Sequence, residues 1–248
     1  MKNIFVKLEY CGTNYFGFQI QNKKNKKEVS VQELFEKALK KLFCRIIRIS
    51  YCSRTDRGVH AKAQCINFKV VTDIPVRNIK KALNSFLPDD IRVKAVKLVP
   101  LDFHARFSVS SKIYRYVIHN SSIFSVFLKD FSWHYSGGLN ISLMNEISKK
   151  MIGHRDFSIF AKEAKTYKSC NRHLKRIDIK RRNSFIYIDI EADGFLRNMA
   201  RNIVSFLVNV GAGKISIVDA KLILSRDKFY HNFPAPPEGL YLKKVIYP

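Results

Sequence analysis

At 248 residues and 28.8 kDa the chain can form one large domain or two of roughly 100–150 residues, each with its own core. Apolar residues at 46%, aromatics at 12%, ten glycines and seven prolines exclude a disordered or collagen-like polymer. Forty-five Lys and Arg against 20 Asp and Glu give a formal charge of +25, spread evenly when the chain is divided at Phe103, so the expected partner is a polyanion, nucleic acid before membrane.

Ile4 to Tyr10 alternates as a strand. The lysine cluster Asn22 to Lys27 reads as a loop, either solvated or touching phosphate. Ser30 followed three residues later by Glu33 forms a capping box, and Val31, Leu34, Phe35, Ala38, Leu39 and Leu42 recur at helical spacing, so a helix is expected from Val31 to about Phe43. Strands follow at Arg45 to Tyr51 and Gln64 to Val71, joined by a polar connection from Cys52 to Lys62. A helix from about Pro75 to Phe86, stopped by Pro88, and a strand from Ile91 to Val99 complete a βαββαβ order. The later half repeats it. A strand at Ile113 to His119, a helix near Ile141 to Ile152, and strands at Leu174 to Ile179 and Phe185 to Glu191 lead to a helix from Phe195 to about Val210 that ends at Gly211 and Gly213. A shorter helix near Ile217 to Leu224 and a closing strand from Leu240 to Tyr247 finish the chain. The expected fold is α+β, two tandem split-βαβ halves of mostly antiparallel sheet covering 1–103 and 104–248, with the active-site cleft at their junction.

The amino terminus MKNIFVKLEY carries charge every few residues, unlike a signal peptide, and no eighteen apolar residues run together. Five cysteines, Cys11, Cys44, Cys52, Cys65 and Cys170, form no C-x-x-C pair and have no histidine at metal-ligand spacing. A cytoplasmic protein without zinc or disulfides is the expectation.

The connection from Cys52 to Gln64 reads CSRTDRGVHAKAQ, with Asp56 between Arg54 and Arg57. By residue type it is a turn, since Asp and Gly are ordinary turn formers. A carboxylate among cations repels the phosphates that the rest of the chain attracts, however, so it is out of place unless its charge has a task.

The motif SRTDRGVHA resembles the catalytic motif, usually GRTDAGVHA, of the TruA family of tRNA pseudouridine synthases. Further blocks resemble that family in order along the chain: Tyr15-Phe16-Gly17-Phe18-Gln19, Ser30-Val31-Gln32, Phe103-His104-Ala105-Arg106-Phe107-Ser108, Tyr114-Arg115-Tyr116, Gly153 to Phe157, Phe195 to Asn202 and Gly239-Leu240-Tyr241-Leu242. The resemblance implies cofactor-free isomerisation of uridines in the anticodon stem-loop, at tRNA positions 38–40, by a homodimer that binds tRNA across both subunits.

On that resemblance Asp56 is the catalytic carboxylate, Tyr114 stacks on the target uracil, and Arg201 pairs with Asp56 while Arg197, four residues earlier on the same expected helix, contacts RNA; the two arginines could be exchanged. Arg54 matches the family arginine that helps extrude the nucleotide, and Leu240 is expected to wall the base of the pocket. The aspartate could attack C1′ of the ribose, attack C6 of the uracil, or take a proton from C2′. No second acid at a fixed spacing suggests a paired-carboxylate hydrolase. His60 and His104 read as hydrogen-bonding framework residues and Gly58 as a positive-φ position. Ser53, Arg57, Cys11, Phe18, Asn198 and Ala200 depart from the family pattern; Arg57 adds charge beside the site, as a substrate-binding residue that either grips phosphate or alters which uridines are accepted. The alternatives are a non-catalytic tRNA-binding or folding protein on the same scaffold and a relative that modifies another uridine.

Overall fold

A computed structural model describes residues 1–21, 28–231 and 233–248. The Asn22 to Lys27 cluster lies outside the described residues. Two compact units divide the chain: Met1–Ser110 with Tyr241–Pro248, and Ser111–Leu240. Both are of mixed α+β construction with mostly antiparallel sheets.

In the first unit, β1 (Lys2–Tyr10) is the central strand, antiparallel to β3 (His60–Val70) on one side and to β4 (Ile91–Val99) on the other. Ile4, Val6, Leu8 and Tyr10 are buried, as their alternation requires. Phe5, on the opposite face, is also buried, beneath the rings of Phe103 and Tyr247. The other edge of β3 takes two short partners at its two ends. β2 (Ser50–Tyr51) pairs antiparallel at Asn67 and Ile66, and β10 (Leu240–Ile246) pairs parallel at His60 and Ala61. Helices α1 (Val31–Phe43) and α2 (Val76–Phe86) pack on each other. The Ser30 hydroxyl accepts the Glu33 amide at 3.3 Å, so the expected cap forms. Full burial of Phe35 and Leu39 is worth about 2 kcal/mol each.

Two boundaries differ from expectation. The expected strand from Arg45 pairs only at Ser50 and Tyr51, because upstream backbone finds a side-chain acceptor instead: the Ile49 amide donates to the buried Glu36 carboxylate at 3.4 Å, which also takes Arg48. β3 starts at His60, four residues early, because its start is set by distant partners, Tyr10 opposite Ala61 and Tyr241 opposite His60.

In the second unit the strands run β5 (Ser111–Asn120), β9 (Phe185–Ala192), β8 (Asn171–Arg182), β7 (Gly153–Asp156), all antiparallel neighbours, with β6 (Trp133–Tyr135) parallel to the end of β5. Helix α3 (Ile141–Met151) crosses α4 (Met199–Gly211), and α5 (Ile217–Ser225) packs on α3. Asn140 caps α3 through the Leu143 amide. Almost every side of α4 is covered, with Ile203, Val204, Phe206, Leu207 and Val210 fully buried, so it is a core helix rather than a surface one.

Helix α4 does not begin at Phe195. It starts at Met199, behind Asn198, which is held at φ +62° in the left-handed region. Contacts from elsewhere capture the preceding backbone: the Tyr167 hydroxyl accepts the Arg197 amide at 2.9 Å, and the Lys162 amide donates to the Arg197 carbonyl at 2.9 Å. The expectation that Arg197 and Arg201 share one face of one helix is therefore overturned.

Candidate active site

Thr55 is the fixed point of the loop that carries Asp56. Its carbonyl accepts the Phe18 amide at 3.1 Å, and its hydroxyl lies 2.8 Å from the buried Tyr10 hydroxyl. Burial pushes the Tyr10 phenol well above its ordinary pKa, so it is a neutral hydrogen-bonding group here. Phe18 can approach Thr55 only because residue 17 is glycine. Gly17 has φ +78°, and a Cβ there would stand 2.5 Å from the Thr55 carbonyl oxygen.

The rest of the loop is tied with equal economy. The Cys52 amide donates to the Cys65 carbonyl at 2.9 Å, and the Gln64 side chain joins the Ser53 carbonyl at 2.8 Å to the Cys52 thiol at 2.9 Å. After Asp56 the chain turns, with the Val59 amide on the Asp56 carbonyl at 3.2 Å and Gly58 at φ +78°, as expected for that glycine. Asp56 is half-buried, while Arg54 and Arg57 are exposed. The Arg57 guanidinium lies 4.1 Å from the centre of the Phe16 ring, a stacking that pre-orients a fork of donors beside the carboxylate loop.

The Phe16 segment is itself seated on α1. The first helical amides, of Val31 and Gln32, donate to the carbonyls of Gly17 and Phe18, and the Gln32 side chain accepts the Ile20 amide. Groups that a helix start otherwise leaves to water thus hold the loop's support. The Ser30-Val31-Gln32 and Tyr15 to Gln19 blocks brace the aspartate loop.

Both histidines act as framework. His60 is buried, its Nδ1 accepts the Gly12 amide at 3.0 Å, and its ring stacks on Tyr241 at 4.7 Å. His104 accepts the Arg106 amide on Nδ1 at 3.1 Å. An accepting Nδ1 fixes the tautomer with the proton on Nε2. Near His104 the buried Asn67 ties the Ala105 amide to Asn3.

In the second unit Tyr114 is 4% exposed on β5 and meets the Phe195 ring edge-on at 4.8 Å. Tyr116, two residues on, is fully buried with its hydroxyl donating to the Pro236 carbonyl at 2.7 Å. Tyr116 is thereby committed to the core. Arg201 lies in the first turn of α4, half-buried, and its Nε donates to the Ala235 carbonyl at 2.6 Å while the Ala235 amide returns a bond to the Arg201 carbonyl. That pair sets the plane of the guanidinium. Arg197 is exposed and paired with Glu163 at 2.8 Å. Leu240 is buried at the start of β10.

Sequence reasoning missed the bracing residues. Tyr10, Gln64 and Asn67 received no role, although Gln64 and Asn67 are amides within the run Ala63 to Phe68, whose other members are apolar, which is itself a signal of a partner nearby. Among the described residues no group of three His, Cys, Asp or Glu is placed to hold a metal ion, and no helix is long and apolar enough to cross a membrane.

The site thus presents an aspartate on a loop fixed through its neighbours, with arginines beside it, on a chain of formal charge +25. A family model described as tRNA pseudouridine synthase matches residues 8–108 and 147–248. Similar along their whole lengths are "tRNA pseudouridine synthase A" of Thermoanaerobacter sp. (strain X514), 43% identical over 248 residues covering 100% of both chains, and "tRNA pseudouridine synthase A 2" of Clostridium tetani, 39% identical over 247 residues covering 99% of both. The Staphylococcus carnosus "tRNA pseudouridine synthase A" is 40% identical over 244 residues, 98% of this chain and 90% of its own. The chain belongs to the tRNA pseudouridine synthase family.

Proposed function

We propose that this enzyme isomerises uridines 38–40 in the anticodon stem-loop of tRNA, with Asp56 as its catalytic carboxylate. Isomerisation of uridine to pseudouridine in tRNA comes with the family; the anticodon site and the residue roles are the proposal. The C1′ to N1 bond breaks, the uracil turns, and a C1′ to C5 bond forms. N1 ends protonated and the C5 hydrogen leaves as a proton, so no external reactant is consumed. Attack at C1′, attack at C6 and abstraction from C2′ all begin with a carboxylate, the role given to Asp56.

The observation that carries the reading is the fixing of the loop around Asp56 by Gly17, Phe18, Tyr10 and Gln64, which holds an acid among cations where a plain turn needs no such support. Tyr114 is the proposed stacking ring, and its buried strand position supports that role by keeping the ring in one orientation. Arg201, held in plane by Ala235, is the proposed cation for the aspartate. Arg54, Arg57 and Arg197 are proposed to contact the flipped nucleotide and its phosphates, and Leu240 to line the base site. The tandem split-βαβ reading belongs here too. It is supported in the first unit by antiparallel neighbours β4-β1-β3-β2 with α1 and α2 as the crossovers, and in the second by β5-β9-β8 with α3 and α4. The proposed setting is a cytoplasmic homodimer.

Unmodified tRNA treated with the purified enzyme and mapped for pseudouridine tests the substrate. Modification confined to positions 38–40 is expected; modification elsewhere overturns the anticodon assignment.

A further inference from the structure

The first unit has an open cavity that the proposed chemistry does not use. Beyond Asn67, β3 runs on to Val70 with no strand paired to its outer edge among the described residues, because the segment from Arg45 to Ile49 leaves the ladder for Glu36. Between that segment, the end of β3 and the turn from Leu101 to His104 lies a cavity of about 490 Å³, within the range of about 300–1,000 Å³ usual for small-molecule sites. Every residue that lines it belongs to the first unit.

Its cations come from two elements. Arg45 and Arg48 stand on the departing segment and Lys69 on β3, against one acid in the lining, Asp102. The two arginines are already seated, Arg45 Nη2 donating to the Val71 carbonyl at 2.6 Å and Arg48 pairing with Glu36 at 2.5 Å. A guanidinium carries five N–H donors, so either contact leaves others for a ligand. His104, whose Nδ1 accepts the Arg106 amide, adds an Nε2 donor. Apolar side chains line the same space: Ile46, 70% exposed, and Leu101, 52% exposed, one from each flanking segment. A surface that only grips RNA phosphates needs cations, and exposed aliphatic side chains add nothing to it. Cations beside an apolar wall fit a ligand with an anionic end and a flat body, which describes a nucleotide. Asp102 then selects among bases. A carboxylate accepts hydrogen bonds from an amino group, which guanine, adenine and cytosine carry and uracil lacks.

We infer that this cavity is a second nucleotide site, distinct from the uridine site proposed at Asp56, and that it takes a nucleoside monophosphate unit whose base bears an amino group. The phosphate lies on Arg45, Arg48 and Lys69, the base against Ile46 and Leu101, and the amino group donates to Asp102. Such a unit reaches the cavity as a free nucleotide or as an unstacked residue of bound tRNA, and the recognising chemistry is the same for both.

Equilibrium dialysis of guanosine 5′-monophosphate against the full chain tests this, with melting curves to confirm that each variant folds. The wild type is expected to bind it saturably with a Kd of about 1 mM or below, and at least about fivefold more tightly than guanosine, inorganic phosphate or uridine 5′-monophosphate. Lys69→Glu is expected to weaken that binding about tenfold, whereas Lys180→Glu, which reverses an equally exposed charge on β8, leaves it unchanged. Filter binding of tRNA then separates the two sources. Displacement of tRNA by the nucleotide from the wild type but not from Lys69→Glu marks an unstacked tRNA residue, and no displacement from either marks a free nucleotide. Failure of the wild type to bind the nucleotide, binding lost alike in both lysine variants or in neither, phosphate or uridine 5′-monophosphate bound as tightly, or tRNA displaced equally from wild type and Lys69→Glu would each overturn the proposal.

Discussion

The Cys52 to Val59 loop and the Phe195 to Asn198 turn both present arginines from irregular backbone, but they are held by different means. The first is fixed by main chain against main chain, Phe18 to Thr55 and Cys52 to Cys65, through an approach that glycine alone permits at residue 17, with the Tyr10 and Gln64 side chains added to it. The second has one main-chain tie from elsewhere, Lys162 to Arg197, and adds side chains, the Tyr167 hydroxyl on its backbone and Glu163 on its arginine, with no glycine-dependent approach. A position held by backbone proximity has no slack for a methyl group, whereas a surface ion pair can be lost with little consequence.

Gly17→Ala sharpens that contrast most. It places a methyl against the Thr55 carbonyl at a φ that alanine resists, and should cost about 3 kcal/mol in urea unfolding together with most of the turnover. A cost below about 1 kcal/mol would mean that the loop has room to move. Next is Tyr114→Ala, expected to lower kcat on the order of 100-fold while tRNA affinity, measured by filter binding, changes far less. Equal losses in both would make Tyr114 a binding residue only. Tyr116→Phe, by removing the hydroxyl bond to Pro236, should cost about 1 kcal/mol of stability and leave kcat unchanged, setting the core tyrosine apart from the proposed stacking one. The smallest effect is expected from Glu163→Gln, which breaks an exposed ion pair worth at most about 0.5 kcal/mol. A large loss there would show that the second turn is as rigidly held as the first.

What was legible in the sequence was local. The Ser30 and Glu33 box, the stripe from Val31 to Leu42 and the Pro75 start of α2 specify their helices within a few residues of chain, and the helices stand where the pattern puts them. The boundaries that moved are those decided at a distance. Glu36 draws the Ile49 amide out of a ladder, Tyr10 and Tyr241 set the start of β3, and Tyr167 with Lys162 delays α4 to Met199. Strands β6 and β7, of three and four residues, are too short for alternation to register. At the site, Asp56 was legible as a charge in the wrong company and then by its motif. The residues that hold it were not, because a tyrosine at the end of β1 and a glutamine in β3 carry no mark of whom they will meet.

The central claim is that the Asp56 carboxylate, and not merely its place in a turn, performs the chemistry. Tritium release from tRNA labelled at uridine C5, measured beside tRNA binding for the Asp56→Asn variant, tests it most directly. Release should stop while binding persists within a few-fold of wild type; release at the wild-type rate would contradict the account.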